Sequence, residues 1–292
     1  MTDTKMNVRF DDFPRPVALT DCSEVLDGLK TVFQGWNIRS DARSDAPAPI
    51  IKLSKPDDRY LWLSDHIKPP ERWRKNRPTT VVSVVADFHY KFYDWYGLRF
   101  PQHLCLHCAA VEICGGLVIF PNVKKVGKST LTTRLAMAGK RVFCDDVLAY
   151  CPERKQGLAL GILPRVRLPL PDVLPEQYKA YIDDHIVLGS QHYGYVQPQD
   201  GAFADYGQTL PIHAVVILER DTETETVEIN PINKAKAMSA ILHQNFVVEN
   251  SPVEIFEQVL EMLEPCRLLT MRYRDLDDAA NVLIENIEKG TD

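Results

Sequence analysis

One segment near the middle of the chain constrains the fold more than any other. It predicts a strand, a glycine-containing loop, a helix and a second strand that ends in two aspartates, all within about 30 residues. This order is typical of a βαβ unit, so we expect a parallel sheet there. The parts are Leu117–Phe120, the loop ending Gly127-Lys128-Ser129-Thr130, the helix Ser129–Ala138 with Gly139 as its C′ residue, the strand Arg141–Cys144, and Asp145-Asp146.

The loop has the composition of a phosphate site. Backbone N–H groups at a helix start attract anions, and Gly127 permits close approach of the backbone. Lys128 would reach the β- and γ-phosphates and the Ser129 hydroxyl would ligate Mg²⁺. We therefore predict a site for the phosphates of a nucleotide, with Mg²⁺. Its nucleotide-binding residues are Asn122, Val123, Lys124, Lys125, Val126, Gly127, Lys128, Ser129 and Thr130.

The loop departs from the pattern G-x-x-x-x-G-K-[ST] at its first position, which is Asn122. Asparagine is the least costly non-glycine residue in a left-handed backbone conformation, so the loop remains compatible with nucleotide binding. One alternative is a degenerate descendant of such a site that no longer binds, and another is a nucleotide-binding scaffold or pseudokinase. Lys124 and Lys125, which are unusual in this loop, keep both alternatives open.

Several residues around this loop resemble a known family. His107, Lys128-Ser129 and Asp145-Asp146, with the run Ala138-Gly-Lys-Arg-Val-Phe-Cys-Asp-Asp-Val147, are similar to the catalytic domain of bacterial HPr kinase/phosphorylase. The similarity is greater to HPr-kinase-related proteins with a Leu-His-Ala-Ala-Val strand before the P-loop. It is clear over residues 104–150 and looser through the rest of the C-terminal half.

The resemblance implies an α/β fold, a P-loop kinase domain of the HPr kinase type with a mixed sheet. It also implies a kinase that uses Mg·ATP to phosphorylate a hydroxyl, most readily a serine or threonine of a protein or peptide. Asp145 would accept the proton of that hydroxyl, Asp146 would help to bind Mg²⁺, and His107 would line the γ-phosphate. The P-loop does not choose the acceptor, so a small-molecule kinase is the alternative enzyme. For His107, a buried core imidazole is the competing interpretation.

A second departure concerns Gly157–Pro171, which matches only part of the family's Gly-Leu-Gly-Ile signature associated with phosphorylase activity. Arg165 and Arg167, two residues apart on an extended segment, point the same way. They are either a phosphate or substrate clamp or a solvated strand edge.

Composition excludes several classes of function. The chain has 34 Lys and Arg against 40 Asp and Glu, a net charge of −6, which argues against a nucleic-acid-binding role. No run is apolar and long enough to span a membrane, and the N-terminal sequence lacks a signal-peptide core, so we expect a cytoplasmic protein. Hexamers in the related family favour a homo-oligomer.

The cysteines are expected to be reduced and mostly buried. Cys105 and Cys108 lie on a predicted strand rather than in a zinc knuckle, and they do not open a helix as a redox pair would. With Cys144 they lie on strands that should deliver His107 and Asp145, which indicates core packing beside the site.

The remaining patterns predict two regions, 1–100 as a small α+β region and 101–292 as the P-loop domain. Aromatic residues at helical spacing over 81–98 are typical of packing rather than of base stacking. The polar stretch 183–206 is either a mobile substrate lid or an ordered surface excursion. Other predicted elements are helices at 21–36, 234–243, 253–263 and 276–287, strands at 50–53, 60–63, 108–113, 213–218 and 265–273, and a hairpin joining 213–218 to 227–229.

Overall fold

The computed structural model describes residues 5–10, 12–41, 47–121, 127–244 and 251–290. The chain divides into two compact units, Met1–Phe100 and Pro101–Asp292. Seven α-helices and 17 strands in these described ranges make the protein a mixed α/β structure. None of the helices in those ranges is long and apolar enough to cross a membrane.

The first unit contains one five-stranded sheet and two helices. Its elements are β1 (Lys5–Phe10), β2 (Val17–Thr20), α1 (Glu24–Val32), β3 (Ile38–Asp41), β4 (Ile51–Ser54), β5 (Leu61–Leu63) and α2 (Val81–Arg99), with short 3₁₀ turns at Pro56–Asp58 and Glu71–Arg74. The strand order is β3-β1-β2-β4-β5, in which only β2 and β4 pair in parallel.

Helix α2 carries the aromatic run that predicted it. Thr80 caps its first turn, because the threonine hydroxyl accepts a backbone N–H there. Phe88, Phe92 and Trp95 pack around Phe10, with ring centroids 5.9, 5.7 and 5.6 Å from its ring. The aromatic side chains therefore form the core of this unit, as their helical spacing predicted.

The second unit is built on a nine-stranded mixed sheet. Its strands are β6 (Leu104–Leu106), β7 (Ala109–Ile113), β8 (Gly116–Phe120), β9 (Val142–Cys144), β10 (Leu148–Cys151), β11 (Gln156–Leu158), β15 (Thr209–Arg220), β16 (Glu228–Pro231) and β17 (Arg267–Tyr273), and its helices are α3 (Lys128–Met137), α5 (Lys234–Leu242), α6 (Pro252–Leu263) and α7 (Leu276–Lys289). The order is β6-β10-β11-β15-β8-β7-β9, with β17 beside β15 and β16 beside β17. Helices α3 and α7 pack on one face, α5 and α6 on the other.

The expectation of a parallel sheet at the βαβ unit is wrong in one respect. Strands β8 and β9 run in the same direction, but β7 lies between them and is antiparallel to both. The reason is the tight turn between β7 and β8 through Cys114 and Gly115, both with positive φ (53° and 73°), which places β7 on the edge that β9 would otherwise take.

The hairpin predicted after β15 is also wrong. Strand β17 takes that edge of β15 in parallel, pairing Ala214–Arg220 with Arg267–Tyr273, and β16 pairs with β17 instead. Burial explains the choice. Leu269, Met271 and Tyr273 of β17 are buried, whereas every residue of β16 is at least partly exposed.

A small three-stranded sheet adjoins this core. It consists of β12 (Arg165–Arg167), β13 (Ile186–Gly189) and β14 (Tyr193–Val196), in the order β12-β14-β13. Helix α4 (Glu176–His185) lies between β12 and β13 in the chain. Most of the stretch 183–206 is therefore ordered, which favours the surface excursion over the lid. Tyr195 and Val196 are fully buried and hold it in place.

The structure confirms the predicted positions of α5, α6, α7 and β17 to within two residues at each end. Asp275 caps α7, where its carboxylate accepts the N–H groups of Asp277 and Asp278. Gly139 ends α3 in a left-handed conformation, with φ 76°, as expected of a C′ residue.

Candidate active site

The start of α3 provides the candidate phosphate site. Gly127 is its N-cap, with φ 92°, and a Cβ at this position would lie 2.9 Å from the Tyr273 hydroxyl. Glycine is therefore favoured here for two reasons: the backbone has a positive φ, and a Cβ would be too close to the Tyr273 hydroxyl. Five of the predicted loop residues, Asn122, Val123, Lys124, Lys125 and Val126, lie outside the described residues.

Lys128 is the first residue of α3, and its side chain is largely buried. Only 8% of the residue is exposed. Burial lowers the pKa of its ammonium group, whereas neighbouring groups, first Cys108 and then Asp146 and Asp145, act in the opposite direction. A buried ammonium group is strongly stabilised when an anion binds beside it, and a phosphate-binding lysine needs this property.

Asp145 lies directly after β9, where the structure also places Ser129 and Arg165. Its Oδ2 accepts the backbone N–H of Arg165 at 3.0 Å, and the Ser129 hydroxyl donates to the same carboxylate. Only 6% of Asp145 is exposed. Burial, and after it the charge of Asp146, raises the pKa of Asp145 from 3.8 to about 6.

Asp146 faces the histidine. His107 Nε2 lies 3.1 Å from Asp146 Oδ1. The His107 backbone N–H donates to the Gln244 carbonyl at 2.8 Å, which anchors the residue just after β6. The side chain of His107 is about a quarter exposed, so it is not a core imidazole.

The two predicted arginines lie on one face of β12, because Val166 between them points into the core. The Arg165 guanidinium lies 5.4 Å from the ring centre of Tyr193 and 6.0 Å from that of Tyr195. Arg167 is exposed. The structure thus brings Arg165 to Asp145, whereas Arg167 lies further along the strand.

The cysteines lie where core packing predicted. Cys105, Cys108 and Cys144 are buried, and the Cys144 thiol donates to the Cys108 carbonyl at 3.2 Å. Burial raises the pKa of Cys105 to about 12 and that of Cys144 well above its ordinary value. Cys105 and Cys144 are therefore inert thiols at neutral pH.

Sequence reasoning missed three tyrosines near these groups: Tyr178, Tyr195 and Tyr273. Tyr178 and Tyr195 are buried close enough to Asp145 for its charge to help raise their pKa values, although burial is the larger cause. The signal for Tyr273 was present, because it ends β17, and the carboxyl ends of the parallel strands β8, β15 and β17 meet at one edge.

The donor atoms in this cluster fit Mg²⁺ in kind. They are a serine hydroxyl and two carboxylates, and Mg²⁺ prefers oxygen ligands and needs only one or two carboxylates when phosphate oxygens complete its shell. The described residues contain no group of three or more His, Cys, Asp or Glu side chains placed to hold a metal by themselves. This donor set suits a metal that arrives with a phosphate group.

No protein-family model matches the chain, and no curated protein matches it. Among solved structures, it is similar to the HPr(Ser) kinase/phosphatase from Coxiella burnetii, with 13% sequence identity and a TM-score of 0.32. The alignment covers 64% of this chain and 95% of that one. At this identity and TM-score, the likeness decides neither the activity nor the role of any residue.

Proposed function

We propose that the protein is an ATP-dependent phosphotransferase that transfers the γ-phosphoryl group to a hydroxyl, in the first instance of a serine or threonine in a protein or peptide. The observation that supports this most is the convergence of Lys128, Ser129 and Asp145 at the start of α3, with the Asp146–His107 pair beside them. Phosphoryl transfer asks a protein for positioning, charge neutralisation and one base.

Each residue has a role in this proposal. Lys128 neutralises the β- and γ-phosphates. Asp145 removes the proton of the acceptor hydroxyl, and a pKa of about 6 leaves most of it ionised and basic at neutral pH. His107 and Asp146 hold one another in position beside the γ-phosphate.

Ser129 and Asp146 would hold Mg²⁺, which supplies charge neutralisation on the phosphate oxygens when it is bound. Arg165 offers its guanidinium, held over two tyrosine rings, to the transferred phosphate.

The test separates binding from transfer. We expect Lys128→Ala to abolish calorimetric binding of Mg·ATP, since the buried cation is lost, and Asp145→Asn to retain binding but stop transfer of label from γ-labelled ATP. Unchanged turnover in Asp145→Asn would contradict the base role.

The acceptor is identified by fractionating the label. Label in polypeptide supports the protein kinase, and label in metabolites supports a small-molecule kinase that uses the same site. Binding of Mg·ATP without turnover on any acceptor would instead support a nucleotide-binding scaffold.

A further inference from the structure

A cavity of about 410 Å³ lies in the second unit, at the edge of the sheet opposite the candidate active site. It opens between the start of β15, the turn after β10 and the end of α6. Ile212 in its wall pairs with Leu117 near the start of β8, whereas Gly127 comes after the end of β8. The cavity volume falls within the range of about 300–1,000 Å³ that is usual for small-molecule sites.

The walls of this cavity are joined to one another by contacts between the elements that form them. The Cys266 sulfur lies 3.2 Å from the Ile212 carbonyl oxygen and 3.1 Å from that of Met262, so it links β15 to α6. Lys155, in the turn between β10 and β11, pairs with Glu261 of α6 at 2.5 Å. Ile212 and Met262 are buried and give the cavity an apolar wall. A cavity whose walls are fixed in this way lowers the cost of ordering side chains when a ligand binds.

A buried tyrosine in this cavity lacks a hydrogen-bond partner. Tyr150 lines the cavity with only 2% of the residue exposed, and its hydroxyl makes no hydrogen bond with any described residue. Burial, and after it the charge of Glu261, raises the pKa of Tyr150 to about 12. Because Glu261 also lines the cavity, its effect indicates that the hydroxyl end of the ring lies on the cavity side. A polar atom of a ligand would satisfy this hydroxyl.

The charged groups around the cavity favour a cation. Two carboxylates line it, those of Glu261 and Glu264, against one ammonium group, that of Lys155. Lys155 is already paired with Glu261, whereas Glu264 has no ion-pair partner among the described residues. His213 lines the cavity as well, but no three His, Cys, Asp or Glu side chains of the described residues are placed to hold a metal ion. An organic cation therefore fits this cavity better than a metal.

We propose that the cavity binds a small organic amine that has an apolar body, an ammonium group at one end and a hydroxyl at the other. The ammonium group pairs with Glu264, and the hydroxyl forms a hydrogen bond with the Tyr150 hydroxyl. The apolar body packs against Ile212 and Met262. A mostly apolar pocket with a few polar groups that fix orientation is typical of small-molecule sites. This binding site is separate from the proposed phosphotransfer chemistry and does not rest on it.

Tyramine is the probe, because it carries an ammonium group, a ring and a hydroxyl. Phenethylamine is the control that lacks the hydroxyl, and hydroxyphenylpropionate is the control that has a carboxylate in place of the ammonium group. Ligand-observed NMR titrations with the full chain give Kd for each compound. We expect tyramine to bind with a Kd of about 0.1–1 mM. Phenethylamine should bind about fivefold more weakly, the effect of one hydrogen bond, and the propionate should not bind measurably.

Variants locate the probe. Tyr150→Phe should bind tyramine and phenethylamine equally, because it removes only the unpartnered hydroxyl. Glu264→Gln should weaken tyramine binding about fivefold, the effect of one partly exposed ion pair. Glu257→Gln makes the same change in charge two turns earlier on α6, outside the cavity, and should leave Kd unchanged. Asp146→Asn removes a carboxylate of the candidate active site and should also leave Kd for tyramine unchanged.

Three results would overturn the proposed site: no saturable binding of tyramine, equal binding of the propionate, or Kd values that Tyr150→Phe and Glu264→Gln leave unchanged. Loss of tyramine binding in Asp146→Asn would also overturn it, since the probe would then lie at the candidate active site. None of these measurements uses ATP, so failure of the kinase proposal would leave their outcome unaffected.

Discussion

Replacing Asp145 with asparagine should stabilise the second unit while it abolishes transfer. The carboxylate is buried, and its pKa rises from 3.8 to about 6 on folding. Because the folded-state pKa is the higher one, ionised Asp145 destabilises the folded state above pH 6, and this cost disappears as the pH falls toward 4. This rise in pKa corresponds to a destabilisation of the folded state of about 3 kcal/mol at pH 7.5.

The asparagine does not recover all of that energy. Its amide oxygen still accepts the Arg165 N–H, but the contact from the Ser129 hydroxyl is lost, at about 1 kcal/mol. The expected net gain is therefore about 2 kcal/mol at pH 7.5, and it falls to about zero between pH 4 and 5. A residue retained at such a cost is typical of a functional site.

The two units allow an internal control. All four tryptophans, Trp36, Trp62, Trp73 and Trp95, lie in residues 1–100, so their fluorescence reports that unit. Urea unfolding followed by far-ultraviolet circular dichroism includes the second unit. The dichroism transition should move to higher urea at pH 7.5 without a matching shift in fluorescence.

Two results would refute the reasoning. One is a variant no more stable than the wild type at pH 7.5. The other is a gain of equal size at pH 7.5 and pH 4.5, which would show that ionisation of Asp145 is not its source.

Three further predictions concern the same unit. Asp146→Asn should lower the pKa of Asp145 by removing a neighbouring charge, and so move the acid limb of the pH–rate profile below pH 6; an unmoved limb would contradict the coupling. Gly127→Ala should cost about 1–2 kcal/mol in urea unfolding, and less in a Tyr273→Phe background, where the close hydroxyl is absent; additive effects would show that the contact has no influence. Cys114, the one cysteine classed as exposed among the described residues, should react with a maleimide far faster than the others, and Cys114→Asn should remove the fast phase seen by mass spectrometry.

The local features of the site were predictable because each is encoded by adjacent residues. The helix that follows Gly127 and the pair Asp145-Asp146 after β9 can be recognised from a few consecutive positions. The contacts that distant segments make with the site were not predictable in the same way. Arg165 contacts Asp145 from 20 residues further along the chain, and Tyr273, which approaches Gly127 at the end of β17, is still more distant in the sequence.

Strand pairing shows the same difference between what local sequence predicts and what tertiary structure decides. The sequence predicted β15 and β17 individually, since each is an apolar run bounded by polar residues. It placed β15 beside the wrong partner, because a short loop favours a hairpin locally. In the structure the apolar residues of β17 take that edge, and the exposed β16 is displaced to the outside.

The sequence by itself determined the order of strand, loop, helix and strand around the site, the GKST helix start, and the two aspartates that end a strand. Only the tertiary structure decided that β7 separates β8 from β9, that Asp145 is buried with a pKa near 6, and that the Arg165 backbone N–H binds its carboxylate. The physical reason is the separation in sequence of the residues on which each feature depends. Helix starts and turns depend on neighbouring residues, whereas burial, electrostatic environment and strand edges depend on what distant segments bring to the same place.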